Sequence, residues 1–286
     1  VKYNKEIKSW IAYDAGNSAF ATTIIAAFFP LFFASYWTAD IDEITSTKYY
    51  TAGLTIINLF ILVGMPIVGA ITDVKNLTKT FFAVFSFFGA LIVCSFYFID
   101  SNSWIIALIL YGISLFCFSA AIVLYDKILI FISDNSNVSK ISGLGYSIGY
   151  LGGGILFVVN SFMVLNPSFF GLEDNVSAIK WSFVSVGVWW ILFSQIAFRF
   201  LPKGNKSNVL TKSIIFNGLR ELRYVWKSFS NHPILKSYIV AFFVFSMAVQ
   251  TVMLIAAYFG EHEVSWGSMS EKQSCLIISI MIIQLI

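Results

Sequence analysis

Long apolar runs separated by short polar segments recur along the whole chain, and this pattern predicts membrane-spanning helices. At about 1.5 Å per residue, about 20 apolar residues cross about 30 Å of hydrocarbon. Seven runs reach that length, whereas the last has only 15 residues and no polar flank, so we expect the chain to be a piece of a longer protein. The predicted spans are Trp10–Tyr36, Tyr50–Thr72, Thr80–Ile99, Trp104–Ile132, Ile141–Leu165, Ile179–Phe200, Pro233–Phe259 and Lys272–Ile286.

The composition agrees with a polytopic, all-α membrane protein. Of the 286 residues, 58% are hydrophobic and 12% are charged, whereas soluble domains carry about 25% charged residues. Cys94, Cys117 and Cys275 lie in apolar segments without a second ligand nearby, and His232 and His262 lie in loops. We therefore expect no metal, no disulfide and no cofactor.

The basic residues lie on alternate connecting segments, and this distribution predicts the orientation. Fifteen of the 18 Lys and Arg residues fall on the side of the amino terminus and three on the other, where the loops are acidic. The positive-inside rule then predicts a cytoplasmic amino terminus in a cytoplasmic (inner) membrane. Because the basic residues flank the spans, we expect a lipid bilayer and a small solute as partners and no nucleic acid.

The segment from Gly204 to His232 is the one extended break between apolar runs. Ile215, Leu219, Leu222 and Trp226 repeat at helical spacing, which predicts an amphipathic helix on the cytoplasmic leaflet. We expect a six-helix bundle over residues 1–202, a linker over 203–232, and over 233–286 the first two helices of a second bundle. Six spans, a basic connector and a second set are typical of transporters built from two parallel halves.

The first span carries an acidic residue inside an apolar helix. Asp14, Asn17, Ser18 and Thr22 fall at i, i+3, i+4 and i+8, which predicts one polar face. A carboxylate in hydrocarbon costs at least about 2.5–3.5 kcal/mol, so such a residue marks a transport path or a partner. Alternatively, Asp14 is only one turn beyond Trp10 and is a helix-start residue at the headgroups.

Further polar and small residues are candidates for a solute cavity, its gate or a helix contact. In the fourth span, Asp126 is expected to turn inward while Lys127 reaches the interface, and a pair between Asp14 or Asp126 and a cation is one hypothesis. In the fifth span, glycines at spacing four predict a close helix contact. Cavity candidates are Asp14, Asn17, Ser18, Asp126, Tyr146, Tyr150, Gln250 and Thr251, and packing candidates are Gly145, Gly149 and Gly153.

The turn between the second and third spans, PIVGAITDVKNLTK, resembles the loop signature of the major facilitator superfamily. Gly69 and Asp73 match it, and Lys79 adds a basic residue across the turn. The resemblance implies that the glycine permits close packing and that the acid caps or pairs with a neighbouring helix end. Val74 replaces the usual basic residue, and a plain helix cap at Asp73 is the alternative.

Five segments together resemble the vacuolar effluxer branch of the major facilitator superfamily: SWIAYDAGNSAFAT, PIVGAITD, ISGLGYSIGYLGGG, RFLP and VQTVMLIAAYFG. The resemblance implies a transporter of twelve or more spans with alternating access, whose vacuolar members export amino acids. The acid that often opens the seventh-span motif is absent, since Phe245 to Ala248 stand there.

We therefore predict a secondary transporter of a small polar solute, with amino acids as one class and a coupling ion as a further partner. An enzyme is disfavoured because the sequence contains no HExxH motif and no intramembrane His or Cys dyad. The one match to GxSxG, Gly145 to Gly149, lies inside the apolar fifth span and not at a turn between a strand and a helix. A membrane scaffold or sensor that transports nothing is the open alternative.

Overall fold

A computed structural model describes residues 3–202 and 232–263, apart from positions 76 and 135, and without the side chains at 70, 73–75, 250 and 253–263. The predicted linker helix and the predicted eighth span lie outside the described residues. Seven long helices and short 3-10 turns make up the described part, and no strand occurs in it.

The helices have the following bounds. They are α1, Lys5–Trp37; α2, Glu43–Lys75; α3, Thr78–Ser95, continued by a 3-10 turn at Phe96–Phe98; α4, Trp104–Ile132; α5, Val138–Leu165; α6, Asn175–Phe200, preceded by a 3-10 turn at Pro167–Phe170; and α7, Pro233–Glu263. The first six are long and apolar enough to cross a membrane, which confirms the six predicted amino-terminal spans.

Several helices extend beyond the apolar runs because polar side chains cap or prolong them. The Asn4 side chain accepts a hydrogen bond from the Ile7 amide at 2.8 Å at the start of α1, and Asp174 accepts one from the Ser177 amide at 2.7 Å at the start of α6. The hydrogen bonds from Ser177 hold the pKa of Asp174 below its usual value. Such caps satisfy amide groups that have no partner within the helix.

Helix α1 lies at the centre of the bundle. It packs mainly against α5 and α6, while α3 packs against α4 and α6, and α2 lies at the edge against α4. In its most apolar 18-residue window, 61% of α1 is buried, compared with 11% for α2. Polar groups on α1 are therefore enclosed by protein, whereas most of α2 is left for lipid or for other parts of the protein.

The middle and end of α1 are wound more loosely than an α-helix. Residues Phe20–Phe28 and Phe33–Trp37 form π-helical turns, in which the Phe29 amide donates to the Ile24 carbonyl. Pro30 follows the first of these turns, and a proline removes one amide donor and crowds the carbonyl four residues before it. Wider turns relieve that crowding and often mark functional segments.

Aromatic side chains fill the space around the second half of α1. The Phe29 ring stacks on Tyr111 of α4 with centroids 3.7 Å apart, and Trp37 lies 5.9 Å from Phe183 of α6. These rings are almost fully buried, so this half of the bundle is tightly closed and apolar. The buried polar side chains Ser9, Asp14 and Asn17 lie in its other half.

Candidate functional site

Asp14 is buried inside the bundle, where α1 meets α5. Its side chain is 7% exposed, and it is nine residues into α1, roughly 14 Å along the helix axis. A Cβ atom added at Gly149 of α5 would lie 2.6 Å from Asp14 Oδ2 and 2.7 Å from Ser18 Oγ. Asp14 and Ser18 thus share one pocket, and the absence of a side chain at Gly149 makes room for them.

The glycine stripe of α5 packs on α1 along its whole length. A Cβ at Gly145 would lie 2.7 Å from the Trp10 ring, and one at Gly153 would lie 3.0 Å from the Ser18 carbonyl carbon. Gly152, beside the stripe, is tighter still, because its Cβ would lie 2.5 Å from the Ala15 Cβ. The predicted close helix contact is therefore observed, and its partner is α1.

Asn17 faces a different neighbour from Asp14 and Ser18. Its side-chain oxygen accepts a hydrogen bond from the Tyr13 hydroxyl at 3.3 Å, and it is 4% exposed. The same hydroxyl lies 2.9 Å from Ser86 Oγ of α3 and accepts from the Trp190 indole of α6 at 3.2 Å. The single polar face predicted for α1 is thus divided, with one side toward α5 and the other toward α3 and α6.

The residue before Asp126 joins α4 to the same region of α1. The Trp10 and Tyr125 rings stack with centroids 4.0 Å apart and planes 6° apart. The Trp10 indole N–H also donates to the Tyr125 carbonyl at 2.9 Å. Neither residue was among the predicted site residues, although a tyrosine beside an intramembrane acid is a usable signal for one.

Three of the predicted cavity residues lie on an exposed face of this region, here called the open side: Asp126, Tyr146 and Tyr150. Asp126 is exposed rather than turned into the bundle, and its carboxylate interacts electrostatically with Asp14. Tyr146 and Tyr150 are 60% and 61% exposed. Tyr146 interacts electrostatically with both carboxylates, so α1, α4 and α5 bring these groups to one place.

The hypothesis of a cation paired with Asp14 is not supported among the described residues. The charged group that acts on Asp14 is the Asp126 carboxylate. Lys127, adjacent to Asp126, instead donates a hydrogen bond to Thr72 Oγ1 of α2 at 3.3 Å. The two neighbours in sequence point to different helices because successive residues are about 100° apart around a helix.

The turn between α2 and α3 is linked to the end of α6. Lys79 Nζ donates to the Leu201 carbonyl, directly after α6 ends. A cation at the carboxyl end of a helix interacts favourably with its dipole. Among the described atoms, none lies within 4 Å of a Cβ placed at Gly69, so the implied close packing is not seen there. The Asp73 side chain lies outside the described residues.

The candidates on α7 add little to this site. Thr251 Oγ1 donates to the Met247 carbonyl of its own helix at 2.7 Å, and its side chain is exposed. The Gln250 side chain lies outside the described residues. The described part of α7 touches α1 near the π-helical turns, on the side of the apolar half.

Six long apolar helices, the central one with a buried acidic residue, define an all-α, polytopic membrane protein. A model of the family described as "Vacuole effluxer Atg22 like" matches residues 36–286. The chain belongs to that family, which confirms the resemblance seen in the sequence and supports the major facilitator fold.

Two curated bacterial proteins are similar to this chain. One, from Bacillus subtilis (strain 168), is described as "Uncharacterized MFS-type transporter YxiO" and is 28% identical over 291 residues, which cover 100% of this chain and 65% of the relative. Another, from Aquifex aeolicus (strain VF5), is described as "Uncharacterized protein" and is 29% identical over 61% of this chain and 44% of its own length. The chain thus spans less than two thirds of either relative. No solved structure matches it.

Proposed function

We propose that this protein is a secondary active transporter that moves a small polar solute across the membrane by alternating access. The observation that carries this proposal is the buried Asp14 carboxylate, which lies against the glycines of α5 beside the open side of the bundle. An acid inside a membrane protein is costly to bury, and by default it marks a binding or transport site. The similarity to a relative described as an MFS-type transporter supports the same conclusion.

The glycine contact provides a surface on which two helices can move against each other. Along α5, Gly145, Gly149 and Gly153 present backbone to α1 without intervening side chains. Alternating access requires helices to rock around a binding site near the middle of the membrane. We propose that α1 and α5 form this moving contact, and that a second bundle, beginning in residues 233–286, completes the transport path.

The remaining features of the proposal follow from charge and family. The basic residues support a cytoplasmic amino terminus under the positive-inside rule, and we propose the inner membrane as the location. Amino acids are the first solutes to test, because the vacuolar members of the family that this chain resembles export them. A coupling ion would use the same region, since Asp14 and Asp126 are its acidic side chains.

The proposal is tested by reconstituting the protein expressed from its complete gene in liposomes. Labelled amino acids, and then a labelled polar extract of cells, are offered to the outside while unlabelled solutes fill the inside. We expect exchange of at least one solute by the parent protein and a loss of about tenfold or more with Asp14→Asn, because the substitution removes the charge and keeps the shape.

The control is Asp134→Asn, which changes an exposed acid in the loop after α4. This variant should exchange solute at the parental rate. If the folded parent protein exchanges none of the offered solutes, transport is contradicted and the scaffold or sensor function is favoured. If Asp14→Asn matches Asp134→Asn, the protein transports but Asp14 has no part in it.

A further inference from the structure

We propose that Asp14, Tyr125, Asp126 and Tyr146, here called the acidic cluster, bind the protonated amine of the transported solute. This inference rests on the proposed transport function and specifies the chemistry of its binding site. The two carboxylates come from α1 and α4 and interact electrostatically with each other. The Tyr146 hydroxyl of α5 interacts with both of them. Three helices therefore contribute to one acidic region.

A second observation that points to a ligand is the Tyr125 hydroxyl. Tyr125 is 6% exposed, and its hydroxyl has no hydrogen-bond partner among the described residues. A Cβ atom at Gly145 would lie 3.1 Å from the Tyr125 hydroxyl and one at Gly149 would lie 2.6 Å from Asp14 Oδ2, so both oxygens face the same stripe of α5. Leaving a buried hydroxyl without a partner costs about 1–3 kcal/mol. A donor that enters between these oxygens would remove that cost.

The charge of the acidic cluster indicates a cationic ligand. Asp14 makes no ion pair with a described residue, and the charged neighbour that acts on it is another carboxylate. Lys127 reaches toward Thr72 of α2 instead. Two carboxylates that repel each other, one of them buried, are stabilised when a cation binds between them. Within the described part of the chain, the bundle itself supplies no such cation to Asp14.

An ammonium group matches the number and kind of groups better than a metal ion does. It has three N–H donors, and the cluster offers two carboxylates and an unpartnered phenol oxygen as acceptors. Divalent metal ions prefer six or more oxygen ligands or several His, Cys, Asp or Glu side chains. Among the described residues, no group of three or more such side chains could hold a metal.

The open side of the acidic cluster leaves space for the rest of the solute. Asp126 and the Tyr146 ring are exposed, whereas Asp14 and Tyr125 are buried and form the inner end of the acidic cluster. A cation near the face of an aromatic ring gains about 0.5–1 kcal/mol at exposed sites. The amine would thus enter first, and the body of the solute would remain toward the opening.

The test uses pairs of compounds that differ only by the amine. Binding to the purified full-length protein is measured by calorimetry for leucinamide and 4-methylpentanamide, and for phenylalaninamide and 3-phenylpropanamide. Amides are chosen so that no carboxylate enters the comparison. We expect the amine-bearing member of at least one pair to bind about tenfold or more tightly, since hydrogen bonds to charged groups are the strong ones. Equal binding within both pairs, or no binding of either, contradicts the inference.

Variants show whether the acidic cluster is responsible. Asp126→Asn changes an exposed residue and Tyr125→Phe removes only the unpartnered hydroxyl, so neither should impair folding. Each should reduce the preference for the amine by about threefold or more, because it removes one acceptor of the ammonium group. Asp134→Asn should leave the preference intact. An amine preference that survives Asp14→Asn, Asp126→Asn and Tyr125→Phe also overturns the inference.

The two failures can be told apart. If the protein exchanges solutes in liposomes but binds both members of each pair equally, the transport proposal stands and the amine-binding inference is wrong. If the protein binds amines through the acidic cluster but exchanges no solute in liposomes, the transport proposal is wrong and the amine-binding inference stands. If the protein binds sodium ions but binds the amine-bearing and deaminated compounds equally well, the acidic cluster is a site for an inorganic cation. That result would also overturn the inference.

Discussion

Two glycine contacts in the bundle differ in what the glycine makes room for. Between α1 and α5, Gly149 faces the carboxylate of Asp14 and the hydroxyl of Ser18. Between α3 and α6, a Cβ at Gly187 would meet the Cys94 thiol and lie 2.6 Å from the Ala90 carbonyl oxygen. Both contacts bring helices close, but only the first encloses an acidic side chain. The α3–α6 contact is explained by packing alone, whereas the α1–α5 contact also needs a functional explanation.

The largest effect is expected where a new methyl group meets backbone. Gly187→Ala would press on the Ala90 carbonyl, and Gly152→Ala would press on the Ala15 backbone, with its Cβ 2.7 Å from the Ala15 Cα. Overpacking of this kind costs about 1–3 kcal/mol, because two helices must separate. We expect the free energy of unfolding in a denaturing detergent to fall by that amount for both variants.

This prediction has a control in the same helix. Gly154→Ala adds a methyl group where no described atom lies within 4 Å, so it should leave the free energy of unfolding nearly unchanged. Equal destabilisation by Gly154→Ala and Gly152→Ala would contradict the packing described for α5.

Substitution of Gly149 is expected to reduce stability less than substitution of Gly187 or Gly152, and to affect transport more than stability. Its Cβ would meet the ends of two side chains, Asp14 and Ser18, which can turn aside. Gly149→Ala should therefore cost less than about 1 kcal/mol of stability. Because the Asp14 carboxylate must move, solute exchange should fall about tenfold or more. Exchange in liposomes and unfolding in detergent, measured on the same preparation, check both halves of the prediction.

A double variant sharpens this result. If Gly149→Ala acts through Asp14, adding it to Asp14→Asn should cause little further loss of exchange, because the effects of substitutions at residues in contact are not additive. Independent, fully additive losses would show that Gly149 acts by some route other than the carboxylate.

The sequence is sufficient to predict the six amino-terminal spans and to single out Asp14 as a candidate. Apolar runs predicted the six amino-terminal spans, because a helix that crosses a membrane must be long and apolar whatever it packs against. Glycine spacing predicted the contact surface of α5 for a similar local reason. Asp14 was identified because a charged residue in an apolar run is unusual in any fold.

Other features depend on which helices become neighbours, and local patterns do not determine that. Asn17 and Ser18 are about 100° apart around α1, so they face α3 and α6 on one side and α5 on the other. Only the packed bundle shows that the Tyr13 hydroxyl meets Ser86 and Trp190 and that Trp10 stacks on Tyr125. The π-helical turns before Pro30 likewise depart from the regular period that sequence analysis assumes.

The proposed transport by alternating access requires that the open side of α5 near Asp14 lines a path that opens to each side of the membrane in turn. Tyr150→Cys in a protein lacking Cys94, Cys117 and Cys275 tests it most directly, with a membrane-impermeant thiol reagent added to right-side-out or inside-out vesicles. Phe88→Cys, on an exposed apolar stripe of α3, is the control and should react slowly from both sides. The account predicts that Tyr150→Cys reacts from both sides and that a transported solute changes the two rates in opposite directions. Reaction from one side only, unaffected by solute, would contradict it.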